Sequence, residues 1–233
     1  MGPVQIMTEG GAAQAELDGD AASARFLFVL THGAGGSVGA PDLLAARDAA
    51  LQLGGMVVRV TQPYRVRGAR APGSAVRQDA AWVEIVTTLR ELAPGAPLVQ
   101  GGRSNGARVA CRTAAAVGAR AVVALAFPLR PPQRSPAAGT GKGPQSGKGP
   151  AAARPDGAGT KAATAAQTRA AELRSAREGG AKVLVVNGER DPFGIPGARD
   201  ADRVVVVPGE THALKGHRAV IVAAVAEWLP VVL

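Results

Sequence analysis

The sequence predicts an α/β domain with a mostly parallel sheet and helices on both faces. Three observations carry that expectation. Short uninterrupted apolar runs of strand length recur along the chain, as strands covered on both faces require. Helical segments lie between them, at the spacing that right-handed crossovers produce. Glycines and prolines punctuate the joins. At 233 residues the chain suits one sizeable domain, and with aromatic residues at only 3% its core must be built from Val, Leu and Ala.

Taken in order, Met1 to Asp20 alternates weakly around Val4, Ile6 and Met7 and reads as an edge strand or hairpin. Arg25 to Leu30 is a buried strand leading into Thr31-His32-Gly33-Ala34-Gly35-Gly36. Pro41 to Leu53 reads as a helix, with proline at a tolerated first-turn position, Asp42 near the positive end of the dipole and Gly54-Gly55 as the stop. Met56 to Val60 is the next strand, ended by Gln62-Pro63, and Arg65 to Ser74 is a basic loop. From Ser74 to about Leu92 a helix carries Trp82, Ile85, Val86, Leu89 and Leu92 on one stripe. A strand from Leu98, a helix from Asn105 to Val117 and a strand from Ala121 to Phe127 follow. Beyond a helix at Lys161 to Glu178 come strands at Lys182 to Val186 and Arg203 to Val207. A helix from His217 to Leu229 closes the chain.

Composition breaks between Pro131 and about Thr160, a stretch of Gly, Pro, Ala, Ser and Lys in which Gly-Lys-Gly-Pro occurs twice. Such a segment cannot bury enough apolar surface to offset its ordering entropy. It reads as a flexible insertion extending to about residue 165. Its Gly-Lys pairs do not make a phosphate loop, because Lys142 and Lys148 are each followed by glycine and no strand precedes them. Much of the formal charge of +9 is local: Arg130 to Gly180 holds nine Lys or Arg against three Asp or Glu. No aromatic residue interleaves with those cations to stack on bases, which argues against a nucleic-acid partner. The single Cys111 excludes an internal disulfide and reads as a small buried hydrophobe. No apolar run is long enough to span a bilayer and the first residues lack the pattern of a signal peptide, so no membrane association and a cytoplasmic location are expected.

Gly102-Arg103-Ser104-Asn105-Gly106 fits the G-x-S-x-G turn, which lifts a serine hydroxyl above the edge of a sheet between a strand and a helix. Holding a residue with a Cβ at positive φ crowds the backbone two residues either side, and glycine relieves that crowding. A later strand is followed by Asp191 and the last one by His212, so serine, carboxylate and imidazole come in that chain order. The chemistry needs each type. A serine hydroxyl is a poor nucleophile near neutral pH, so an imidazole must take its proton and later return it, while a carboxylate fixes the tautomer and steadies the imidazolium. Glu189 competes as the acid and His217 as the base, whereas His32 reads as structural, orienting the loop after its strand. The oxyanion of a tetrahedral intermediate would be held by the backbone N–H of Asn105 and that of Ala34.

The loop at 31–36, the 102–106 turn, Phe127-Pro128-Leu129, Gly188 to Gly194 and Gly209-Glu210-Thr211-His212 together resemble the small bacterial α/β-hydrolases akin to dienelactone hydrolase. The likeness runs from about residue 25 to the C-terminus, excluding the insertion. It implies an α/β-hydrolase fold and esterase-like activity, with Ser104, Asp191 and His212 matching the triad. Dienelactone hydrolase itself uses a cysteine nucleophile, where this chain has Ser104. The insertion falls where relatives carry a cap.

The expected activity is therefore a serine hydrolase acting on a small-molecule ester or thioester through an acyl-enzyme. The alternative, from another class, is a non-catalytic hydrolase-fold scaffold whose basic insertion recruits an acidic partner. Dinucleotide binding is excluded, since Val38 stands where a third glycine would be and Gln62-Pro63 where an acid should follow the second strand. Three scattered histidines with no carboxylate cluster predict no metal, and nothing calls for a cofactor or specifies an oligomeric state.

Overall fold

The computed structural model describes residues 3–131 and 157–233. In chain order its main elements are β1 (Val4–Thr8), β2 (Gly11–Asp18), β3 (Leu27–Thr31), α1 (Pro41–Gln52), β4 (Met56–Thr61), α2 (Pro63–Val66), α3 (Ala75–Arg90), β5 (Leu98–Arg103), α4 (Asn105–Thr113), β6 (Ala121–Leu125), α5 (Gly157–Glu178), β7 (Lys182–Gly188), β8 (Arg203–Val207) and α6 (Arg218–Val232). The apolar runs become neighbours in one sheet of order β1-β2-β4-β3-β5-β6-β7-β8. The β1–β2 and β2–β4 pairs are antiparallel and every later pair is parallel.

Strands covered on both faces have no use for alternating polarity, and β3 and β6 are buried at every residue. Two apolar layers result. On one face Trp82, Ile85, Val86 and Leu89 of α3, Ala107, Val109 and Ala110 of α4 and Leu173 of α5 pack on Val29, Val58 and Val122. On the other, Leu43, Ala46 and Ala49 of α1 and Ile221, Val225, Trp228 and Leu229 of α6 pack on Phe28, Val57 and Val123. The sheet thus points its strand exits β3, β5, β7 and β8 toward a single edge, where ligands of open α/β sheets bind.

Several boundaries differ from expectation, each for a local reason. The amino-terminal segment is a hairpin whose second strand pairs with β4. Gln62-Pro63 ends a strand as expected, but Pro63 then opens the short helix α2, its fixed φ suiting a first-turn position. Helix α4 stops at Thr113 instead of Val117, where i→i+3 bonds such as Ala114 to Cys111 tighten the chain. Strand β6 stops at Leu125, because Ala126 at φ 47° turns the chain before Phe127. Helix α6 continues through Pro230 to Val232. The expected insertion lies outside the described residues as far as residue 156; its end is corrected, since α5 already begins at Gly157.

Candidate active site

Ser104 stands between β5 and α4 at φ 54° and ψ −113°, a backbone state that costs energy for any residue with a Cβ. Its surroundings hold it there. The Ser104 N–H donates to Leu125 O at 2.9 Å, and the Ser104 carbonyl accepts the first helical bond of α4 from Arg108 at 3.2 Å. Both flanking glycines are required by close approach. A Cβ on Gly102 would lie 2.7 Å from Thr31 O and 2.6 Å from the carbonyl carbon of Gly106, and a Cβ on Gly106 would lie 2.6 Å from His32 O.

The three expected side chains meet, although they come from three separate strand exits. His212 Nε2 lies 3.0 Å from Ser104 Oγ, and His212 Nδ1 lies 2.8 Å from Asp191 Oδ2. The Asp191 side chain is fully buried and accepts further bonds, from the Phe193 N–H to Oδ1 at 2.9 Å and from Asn187 Nδ2 to Oδ2 at 3.3 Å. Every partner is a donor, which is the environment an ionised carboxylate needs. With Asp191 accepting at Nδ1, that nitrogen carries the imidazole proton. Nε2 then presents a lone pair to the serine hydroxyl. The Phe193 ring packs edge-on against the imidazole, centroids 4.5 Å apart, and closes the other side.

The loop after β3 passes directly over this turn: a Cβ on Gly33 would lie 3.2 Å from Ser104 Cβ. The Gly33 carbonyl accepts from His32 Nδ1 at 2.9 Å and from the Gly36 N–H at 3.0 Å. Because the peptide is planar and trans, fixing that carbonyl directs the Ala34 N–H the opposite way. Ala34 is exposed and its amide has no partner among the described residues. Asn105 opens α4, where first-turn amides have no acceptor within the helix. Neither expected amide has a hydrogen-bond partner among the described residues.

His32 is structural, as expected. Fully buried, it accepts at Nε2 from the Gln62 N–H at 3.1 Å, so it is the neutral Nδ1–H tautomer, and desolvation holds its pKa below the usual imidazole value. Glu189 accepts the Gly209 N–H at 2.8 Å and His217 pairs with Glu210 Oε1 at 3.0 Å, so neither rival reaches the serine. Cys111 is buried on α4, and desolvation pushes its thiol pKa up. Among the described residues no group of His, Cys, Asp or Glu is placed to hold a metal ion, and no helix is long and apolar enough to cross a membrane.

Two supports escape sequence reading. Asn187, fully buried at the end of β7, accepts the Phe127 N–H at 2.8 Å and donates to Phe127 O at 3.0 Å and Gly194 O at 3.2 Å, tying the Asp191 loop to the exit of β6. Arg103 donates through Nη2 to the backbone carbonyl of His212 at 2.7 Å. Asn187 reads in sequence as a polar residue closing an apolar run, and Arg103 as the variable position of its motif.

The sheet order and the serine on a β5–α4 elbow define the α/β-hydrolase fold. Residues 24–141 match the model of the alpha/beta hydrolase domain family. The chain belongs to that family and is an enzyme of the α/β-hydrolase type. Among solved structures it is similar to Est1E from Butyrivibrio proteoclasticus, at TM-score 0.69 and 17% identity, covering 99% of this chain and 98% of the other. It is also similar to XC6422 from Xanthomonas campestris, described as an α/β serine hydrolase without a lid, at TM-score 0.63 and 18% identity over 98% and 94% of the two chains. Dienelactone hydrolase from Anabaena variabilis matches at TM-score 0.64 and 14% identity over 100% of both. No curated protein sequence matches the chain.

Proposed function

We propose that this hydrolase cleaves small carboxylic esters or thioesters through an acyl-enzyme, with Ser104 as nucleophile, His212 as general base and acid, and Asp191 as the residue that orients His212. The observation that carries the reading is the unbroken line from carboxylate to imidazole to hydroxyl, 2.8 Å and 3.0 Å long. Distances in this range let a proton pass as bonds rearrange. Est1E also has a structure described with bound ferulic acid, which supports a small-molecule carboxylic substrate here.

In the first half-reaction Ser104 Oγ attacks the ester carbonyl carbon while its proton moves to His212 Nε2. The carbonyl π electrons shift to oxygen, and the N–H groups of Asn105 and Ala34 stabilise that oxyanion. Collapse expels the alcohol or thiol, which takes the proton from His212. Water then attacks the acyl carbon by the same route, giving up a proton to His212. The carboxylic acid departs as Oγ recovers its proton. Asp191 stays ionised throughout and stabilises the imidazolium.

A fluorophosphonate should label the wild-type protein at Ser104, and short p-nitrophenyl esters should be turned over with a burst of p-nitrophenol. Ser104→Ala should lose both. Retention of labelling and turnover by that variant would overturn the assignment.

A further inference from the structure

The variable position before the serine is occupied by a cation whose contacts lie on two other parts of the site. Arg103 is the last residue of β5, and its side chain is only 19% exposed. Nη2 donates to the backbone carbonyl of His212 at 2.7 Å, while Nε lies 2.9 Å from Oδ2 of Asp42 in the first turn of α1. The Nη1 side lies under the loop after β3, where a Cβ on Gly33 would meet it at 3.4 Å. A planar fork with fixed donor directions can hold such contacts at once, which a flexible ammonium cannot.

We propose that Arg103 is a positioning residue for this reaction, a brace that sets His212 relative to Ser104 and is itself aimed by Asp42. The inference rests on the hydrolase reading given above. Asp191 at Nδ1 and the Phe193 ring fix the His212 imidazole itself, but neither fixes the backbone from which that imidazole hangs. Arg103 holds the same residue by its backbone carbonyl, and it does so from the position covalently next to the nucleophile. Base and nucleophile therefore share a rigid reference.

Asp42 has the features of a group retained for geometry rather than for stability. Its side chain is fully buried, Oδ1 accepts from the Leu43 N–H at 3.0 Å, and Oδ2 has no aligned hydrogen bond despite the nearby Arg103. Burial pushes its pKa up to about 6, the Arg103 charge opposing without cancelling the shift. A raised folded-state value means that the folded protein binds this proton more tightly than the unfolded chain does. Above that pH the ionised carboxylate weighs against folding. A buried ion pair of this kind is weak evidence for stability, so its cost is better explained by aiming the guanidinium.

The test compares Arg103→Met, Arg103→Lys and Asp42→Asn with the wild type at pH 8, reading kcat, KM, fluorophosphonate labelling rate and Tm. Displacing a catalytic group by about 1 Å can cost about a hundredfold, so Arg103→Met should lose about that in kcat and labelling rate. Its KM should stay within about threefold, since the brace acts on the base and not on substrate binding. Arg103→Lys, keeping the charge without the fork, should recover part of the loss. Asp42→Asn should lose about tenfold in kcat with KM within about threefold, both read well below the variant's own Tm so that lost folding does not enter. If Arg103→Met fails to fold, the other two variants decide. Wild-type labelling rates in the Arg103 variants, or a wild-type kcat in Asp42→Asn, would overturn the proposal and leave the serine assignment intact. A wild-type protein that neither labels nor hydrolyses would overturn the hydrolase reading and this inference with it.

Discussion

Two strand exits on the same sheet edge each carry a histidine, and they are built for opposite ends. At the exit of β3, His32 is enclosed, with a backbone carbonyl at one ring nitrogen and a backbone N–H at the other. Neither partner can give or take a proton, so the ring is a fixed strut. At the exit of β8, His212 keeps 18% of its side chain exposed and has a carboxylate at one nitrogen and a hydroxyl at the other. Those partners can follow a proton. On the function proposed above, the same side chain serves as scaffold at one exit and as proton relay at the other, according to what faces its two nitrogens.

The sharpest way to break the comparison is to remove the relay. Ser104→Ala should cut kcat for a p-nitrophenyl ester by about 10⁴-fold or more. Asp191→Asn should come next, at up to about 10⁴-fold, because an amide can donate to Nδ1 and so favour the wrong tautomer. Its circular dichroism should match the wild type. The strut is predicted to matter less and in a way that separates its two bonds. In His32→Asn the amide nitrogen falls near the old Nδ1 and can still donate to Gly33 O. In His32→Gln the amide falls near the old Nε2 and can meet the Gln62 N–H instead. If fixing the Gly33–Ala34 peptide is the role, kcat should fall by about tenfold to a hundredfold in His32→Gln and less in His32→Asn. Equal losses in the two variants would reduce His32 to a packing residue.

A still smaller effect concerns pH and stability. The lowered pKa of His32 means that the folded state binds its proton less tightly than the unfolded chain. Its contribution is fully present above the ordinary value of about 6.5 and is lost as pH falls through the lower folded value. The Tm of the wild type should therefore drop more between pH 7 and pH 5 than that of His32→Asn, each measured against its own value at pH 7. The smallest expected effect is on Cys111, whose buried thiol should resist alkylation in the native protein and react only after denaturation.

Much of this arrangement was legible before the structure because it is written in local chemistry. Apolar runs mark strands covered on both faces, and the glycines at 102 and 106 mark a crossing where no Cβ fits. The order serine, carboxylate, histidine placed three groups on strand exits that a parallel sheet brings to one edge. What was not legible depends on which loops touch. Nothing local pairs Arg103 with Asp42 or with the carbonyl of His212. Asn187 could not be read as a clamp until β6 and β7 were known to be neighbours. Likewise nothing local to Gly188 tells what crosses it. In the structure a Cβ there would lie 2.5 Å from the carbonyl oxygens of Glu210 and Thr211, so it is where the acid's strand passes the histidine's loop.

The twisted backbone at Ser104 has a consequence for anyone selecting hardier versions of this protein. Glycine occupies that region of φ/ψ space with little penalty, so Ser104→Gly would recover on the order of 1 kcal/mol or more of folding free energy. With Ser104 as the nucleophile proposed above, a screen that rewards heat resistance alone would drift toward an inactive variant, and only a simultaneous demand for turnover would keep the hydroxyl in place.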